Sequence, residues 1–378
     1  MLLDYLLADE PEAPSEFALV RVSRRAMATT FEVAVPVGAH ADPIGAAEDA
    51  LALVDELESQ LTVFRDGSEV ARLNAAAADG FVEVEPRLFE LLARCAVWTK
   101  ETGGAFDIAT GALTKAWGFF RRAPGVPAAP ELTVAMRQSG FRHVLLDADR
   151  RAVKFRVAGL ELNLGAVGKG YALDRAAELL RTKWGVRSAL LHAGGSSVYA
   201  IGAAPGDARG WPVGLKHPTK PGASLGVVHL RDAGLGTSAA TYQHFAYNGR
   251  KLGHLLDPRR GWPATGTLSA SVVAPTAAEA DAMSTAAFVL GASGAEALTR
   301  LRPALGAVLL TDEPAPLLPA RPAPGENSGA APRGPDMLSA RERSSSALPI
   351  PRGAGEPLLA FNLAPDTYSP QDPADGAP

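Results

Sequence analysis

Apolar and polar positions recur with two different periods along this chain, and the switches between them outline its elements. After Asp42-Pro43, Leu51, Val54, Leu57 and Leu61 return at helical spacing as far as Thr62, with Asp42 placed to cap and Pro43 to open the first turn. A second helical stripe follows Pro86, with Leu88, Leu91, Leu92, Cys95 and Trp98 on one face, and Gly103-Gly104 stops it. The period then shortens to two. Segments 143–146 and 153–157 flank DADRR and read as a hairpin. Further strands are expected at 160–164, 189–191, 198–201 and 269–273, and further helices from about Lys169 and from Thr276. Antiparallel hairpins with interspersed helices predict an α+β (mixed α/β) fold rather than regular βαβ winding.

The patterning fails beyond Thr311, where 14 of the 30 prolines crowd into the last sixth of the chain. Proline at that density excludes helices and sheet interiors. Three parts follow: an N-terminal extension (1–16), one large domain (17–312) and a disordered Pro/Ala/Gly-rich tail (313–378). LLAFNL (358–363) is an apolar patch in that tail that could dock back or bind a partner, although composition favours an inert tail. A net charge of −4 gives no basic footprint for nucleic acid. The single cysteine excludes an internal disulfide and a cysteine-rich metal site, and its helical stripe places it in the core. No apolar run approaches the ~18 residues of a membrane span. MLLDYLLADEPEAP has no basic start of a signal peptide, so a cytoplasmic chain is expected from the sequence as written.

Several stretches carry candidate chemistry. In PTAAEADAMSTAAFVLG, Thr276 and Glu279 form a T-x-x-E capping box, so a helix starts there. Asp281 and Thr285 are then i and i+4 on one face, two hard oxygens one turn apart, as Mg²⁺ accepts. The same spacing suits an aspartate favoured by the helix N-terminus and a threonine bonding back into its own helix, and spacing alone does not decide. LNLGAVGKGYALD (162–174) puts Gly165, Gly168, Gly170 and Lys169 at a helix start, where exposed N–H groups favour an anion. It is neither G-x-G-x-x-G nor a Walker A loop, and it serves tight packing equally well. AGGSS (193–197) stands under the same two readings. GHLLDPRRGWPATG (253–266) crowds His254, Asp257, Arg259 and Arg260 into one Pro/Gly turn.

The order of these segments resembles the ApbE-type flavin transferases, the FAD:protein FMN transferase family. RAMATTFEV, LTVFRDGSEVARLNA, TGGAFDIATGAL with WGFF, LNLGAVGKGYALD, HAGGSSVYAIG, WPVGLKHP, GTSAATYQHF, GHLLDPRRGWP and EADAMSTAAFVLG follow one another in family order across about residues 22–310. The resemblance implies a single large flavin-transferase-type domain. It implies Mg²⁺-dependent transfer of FMN from FAD to a threonine or serine of an acceptor protein, with release of AMP. Asp281 and Thr285 become metal ligands, completed by carbonyl oxygens of the Gly165–Gly168 turn at Ala166. Lys169 becomes a diphosphate contact, and His254 the general base. Phe64, Thr102, Asp107, Gly194, Gly195 and Arg259 fall in the flavin nucleotide pocket. The implied acceptor carries a D-x-x-[ST]-G-A-[ST]-like motif; DIATGALT (107–114) looks similar but is the family's own third motif. Asn163, Ala166, Ser196, Arg260, Phe64, Ala28 and Ala239 depart from the usual pattern, standing for aspartate, glycine, an acid, threonine, tyrosine, glycine and glycine. Those departures leave two further readings: an FAD pyrophosphatase yielding FMN and AMP, or a non-catalytic flavin-binding member.

Overall fold

The computed structural model describes residues 17–121, 123–239, 244–247, 250–312, 348–349, 357–364 and 366–371. The expected N-terminal extension (1–16) lies outside them, as do residues 240–243 of GTSAATYQHF and most of the expected tail.

β1 (Leu19–Ala26) and β2 (Thr29–Pro36) form an antiparallel hairpin running from Leu19 opposite Pro36 to Ala26 opposite Thr29. In α1 (Pro43–Leu61) the Asp42 carboxylate accepts from the Gly45 N–H, and the expected apolar face is buried. α2 (Glu69–Ala76), β3 (Val82–Glu83) and α3 (Pro86–Glu101) follow, with Cys95 fully buried in α3. Burial drives that thiol far above its ordinary pKa, so it stays an inert core group. α4 (Gly111–Ala116) and α5 (Ala129–Arg137) lead into the expected hairpin, β4 (Val144–Asp147) and β5 (Ala152–Phe155). Then come α6 (Gly168–Thr182), β6 (Ala189–Ala193), β7 (Ser197–Ile201), β8 (Trp211–Lys216), β9 (Ser224–Leu230) and β10 (Gly234–Ala239). The short pairs β11 (His244–Tyr247) with β12 (Arg250–Gly253), and β13 (Leu256–Asp257) with β14 (Trp262–Pro263), precede β15 (Thr267–Ala274). α7 (Ala277–Leu301), β16 (Gly306–Thr311), β17 (Leu348–Pro349), β18 (Leu358–Phe361) and β19 (Tyr368–Pro370) complete the described chain.

Among the described residues the largest sheet has the order β1-β2-β6-β7-β10-β15-β16-β18-β17, and its pairs are antiparallel. Helices segregate to one face, which makes the fold α+β as expected. Alternation along each strand divides the core between the faces. Phe31, Val33 and Val35 of β2 pack on α1 in the core that also takes in α6 and α7, whereas Ala34 points to the other side, where β8, β9 and β19 form a covering sheet.

Two expectations are corrected. Residues 160–164 form no strand. The Leu162 N–H and C=O bond to the Asn74 side chain at 2.8 and 2.9 Å, the Asn163 N–H donates to Ile108 O, and Glu161 O accepts from Gly111. Loops and one side chain thus satisfy a backbone that reads as strand by periodicity alone. The tail is not inert over 357–364 and 366–371. β18 pairs with β16, burying Leu358 and Phe361, and β19 pairs with β9, where the buried Tyr368 hydroxyl donates to Leu225 O at 2.8 Å. Each large apolar side chain buried there contributes ~1.5–3 kcal/mol, which favours seating these short strands on free sheet edges. No helix among the described residues is long and apolar enough to cross a membrane.

Candidate active site

The N-terminal half of α7 is pressed against the sheet by missing side chains. A Cβ on Gly234 would lie 2.5 Å from Ala277 Cα, and one on Gly236 2.4 Å from the Ala280 carbonyl carbon. A Cβ on Gly170 of α6 would lie 2.2 Å from Ala277 O. Only glycine fits these three crossings, so the helix start is fixed at backbone contact. Thr276 Oγ1 accepts from the Glu279 N–H at 3.2 Å, as its capping role requires. The other half of the expected capping box is absent, because the Glu279 carboxylate pairs with Arg302, which also bonds Glu101. Asp174 of α6 supplies a second cap, accepting from the N–H groups of Ala277 and Ala278 at 2.7 and 2.9 Å.

Asp281 and Thr285 leave this anchored turn on one face, as the i, i+4 spacing predicts. Asp281 is buried; its Oδ2 accepts from the Gly170 N–H at 2.8 Å, and Ser197 Oγ lies 2.8 and 3.0 Å from its two oxygens. Burial raises its carboxyl pKa, opposed by the Lys169 charge and by the Ser197 and Gly170 hydrogen bonds. The Thr285 hydroxyl donates to Asp281 O at 3.2 Å and has Ser238 Oγ 3.2 Å away. The same back-bond that the alternative reading predicts for Thr285 leaves its oxygen lone pairs available to a cation.

The turn before α6 lies against this pair. Asn163 Oδ1 accepts from the Gly165 N–H at 2.9 Å and folds Leu164–Ala166 into a 3₁₀ turn. A neutral amide is thus sufficient to form this turn. Ala166 and Lys169 are half-buried, and Lys169 has no hydrogen-bond or ion-pair partner among the described residues. Gly194 and Gly195 both have positive φ, and a Cβ on Gly194 would lie 2.1 Å from Thr29 Oγ1, so AGGSS packs against the β1–β2 turn.

The second wall is made by the 253–266 segment and the aromatic residues beneath it. Asp257 accepts from the Arg259 N–H, Nε and Nη2 at 3.0, 2.8 and 2.8 Å. Burial works to raise the Asp257 carboxyl, but the Arg259 hydrogen bonds and charge outweigh it and hold the pKa below its ordinary value. Arg260 extends into solvent, its side chain 82% exposed and 3.9 Å from Asp257. Trp117 Nε1 donates to Gly261 O at 2.8 Å, with Trp262 edge-on to it. The His254 ring stands edge-on to Phe119, centroids 6.5 Å apart. Gly104 approaches Arg259, a Cβ there lying 3.6 Å from its Cγ, so the TGGAFD and DPRR turns are neighbours. A cavity of about 410 Å³ lies between Asp257, Arg259 and Trp262 of this turn and Val289 and Leu290 of α7; Asp281, Thr285, Lys169 and His254 are not among the residues that line it. Val289 continues the helix face of Asp281 and Thr285.

The remaining expected pocket residues divide. Phe64 is exposed and stacks on Phe120 with centroids 4.7 Å apart, beside a cavity of about 660 Å³ that Lys115 and Phe120 help to line. Thr102 is buried, its hydroxyl donating to Trp98 O at 2.8 Å and accepting from the Phe106 N–H. Asp107 accepts from the N–H groups of Ala109 and Phe141 at 2.7 and 2.8 Å. Both side chains shape the 102–107 turn. Sequence reasoning missed Ser197, whose partner lies 84 residues away. It also missed Met27, which with Ala28 has positive φ (47° and 60°) in the β1–β2 turn. The available signal was Ala28 itself, an alanine at a position where glycine is expected.

Known proteins share this architecture. A family model described as the ApbE family matches residues 27–309. An FAD:protein FMN transferase of Treponema pallidum is 37% identical over 281 residues, 70% of this chain and 76% of the relative. One from Klebsiella pneumoniae is 31% identical, covering 68% of this chain and 80% of its own length. The ApbE protein of Thermotoga maritima superposes with a TM-score of 0.71 at 27% identity, over 78% of this chain and 94% of that one. The apo flavinyl transferase ApbE of Pseudomonas stutzeri gives 0.69 at 27% identity, over 79% and 92%.

Proposed function

The chain belongs to the ApbE family and is an FAD:protein FMN transferase, and from that premise we propose how its residues divide the work. Asp281, Thr285 and the carbonyl of Ala166 hold a magnesium ion. The observation that carries this reading is a buried carboxylate bonded to the Gly170 N–H and acted on by the Lys169 charge, with a hydroxyl one helical turn further along the same face. The donor set fits: all oxygen, one formal charge, and lone pairs left over on both side chains. A bound magnesium ion supplies neutralisation of the FAD pyrophosphate charge.

The protein's own residues do the rest. Lys169 places a half-buried point charge against the diphosphate. Gly194 and Gly195 let the backbone approach the nucleotide. Phe64, backed by Phe120, offers a ring face to it. Asp107 and Thr102 hold the Gly103-Gly104 turn in shape, and Arg259, clamped to Asp257, holds the turn that presents His254. His254 takes the proton from the acceptor hydroxyl as its oxygen bonds to the FMN phosphorus; the pyrophosphate P–O bond breaks and AMP leaves. The acceptor presents its threonine or serine in a D-x-x-[ST]-G-A-[ST]-like segment.

Incubation with FAD, Mg²⁺ and a protein carrying such a segment tests this. The expected result is covalent flavin fluorescence on the acceptor in a denaturing gel, with AMP release that depends on the acceptor. His254→Ala is expected to retain FAD and lose about 100-fold or more in turnover. AMP release indifferent to the acceptor would identify a pyrophosphatase, and FAD binding without AMP would identify a binding protein.

A further inference from the structure

We propose that Ser197 is the positioning residue of the metal site: its hydroxyl aims the Asp281 carboxylate. This rests on the reading of Asp281 as a metal ligand.

Ser197 opens β7 directly after the Gly194-Gly195 turn, and alternation puts it on the helix-facing side with Tyr199 and Ile201. Its neighbour across the sheet is Gly236, the residue whose missing side chain lets α7 lie on the strands. Ser197 therefore sits beneath the first turns of α7, fully buried, with Oγ 2.8 and 3.0 Å from the two Asp281 oxygens. The Gly170 N–H reaches Oδ2 from the opposite element at 2.8 Å. A carboxylate on an i, i+4 face can turn about χ2; donors from β7 and α6 together fix that angle. Oδ1, which has Ser197 Oγ as its one donor, keeps a lone pair for a cation. One donor is backbone and cannot be varied by substitution. The other is a single hydroxyl, contributed by a strand that carries no ligand of its own. Outer partners of this kind typically change metal affinity 10–100-fold when removed.

The test is metal binding without turnover. Mn²⁺ binding to the metal-free, FAD-loaded protein is followed by electron paramagnetic resonance for the wild type, Ser197→Ala, Ser197→Thr, Asp281→Ala and the Ser197→Ala/Asp281→Ala double variant. FAD affinity and melting temperature are measured on the same metal-free samples. Ser197→Ala should weaken Mn²⁺ about tenfold or more with FAD affinity unchanged. Ser197→Thr should restore most of the loss. In the Asp281→Ala background, removing the hydroxyl should change nothing further. If Ser197→Ala fails to fold, Ser197→Cys keeps the volume with a weak donor and should show the same loss. Wild-type Mn²⁺ affinity in a folded Ser197→Ala or Ser197→Cys variant, beside its loss in Asp281→Ala, overturns the positioning role and leaves the metal reading intact. Wild-type affinity in Asp281→Ala overturns both.

Discussion

The helix carrying Asp281 and the turn carrying His254 and Asp257 are neighbours, with Val289 and Leu290 of the one and Asp257 of the other lining a cavity, yet they are held by opposite means. α7 is held by absence: glycines at 170, 234 and 236 bring three backbones into contact, and two caps close its N-terminus. The 253–266 turn is held by presence: an arginine–carboxylate clamp, an indole N–H on Gly261 O and a layer of aromatic rings. Backbone contact tolerates no addition, whereas a side-chain clamp leaves its outer positions free. Arg260 is such an outer position, its side chain mostly in solvent.

The sharpest way to break this contrast is to add one methyl group to each wall. Gly236→Ala pushes a Cβ to 2.4 Å from the α7 backbone and should cost ~2–3 kcal/mol in denaturant unfolding, with loss of transfer activity. Gly104→Ala meets only Arg259 Cγ at 3.6 Å and should cost the ~1–2 kcal/mol of its positive φ. Equal losses from the two variants would remove the distinction.

A second effect sharpens the account of α7. Burial pushes the Asp174 carboxyl up to about 7, against opposition from the two N–H groups it caps. The folded protein then keeps a proton that the unfolded chain releases near pH 4. Its contribution is fully favourable below the unfolded pKa and is lost as pH rises from about 4 to 7, at up to ~1.4 kcal/mol per pH unit. Asp174→Asn should flatten that part of the stability profile in metal-free buffer; an unchanged slope would show that the cap stays ionised.

The smallest effect lies at the β1–β2 turn that AGGSS packs against. Ala28 is held at φ 60°, where an alanine is strained by ~1–2 kcal/mol. Ala28→Gly relieves that strain and loses part of the gain to greater freedom in the unfolded chain, for a net stabilisation of ~0.5 kcal/mol. A melting temperature that falls instead would refute the strain.

Local signals made much of this legible. The Thr276 cap, the i, i+4 pair, the stripes of α1 and α3 and the 144–155 hairpin each depend on neighbours within a few residues. What stayed hidden depends on distant partners. Segment 160–164 has strand periodicity but takes its bonds from Asn74 and Ile108. LLAF reads as part of a proline-rich tail until β16 offers it an edge. Within the site, the fold adds what type alone does not give: the oxygens of Asp107 and Thr102 accept from nearby backbone N–H groups.

The central claim is that the Asp281–Thr285 face holds the metal on which FMN transfer depends, and a Mg²⁺ titration of acceptor flavinylation in wild type and Asp281→Ala tests it most directly. Saturable Mg²⁺ dependence in the wild type, with transfer lost from a folded, FAD-binding Asp281→Ala variant, is the expected result. Flavinylation by Asp281→Ala with the wild-type rate and Mg²⁺ dependence would contradict it.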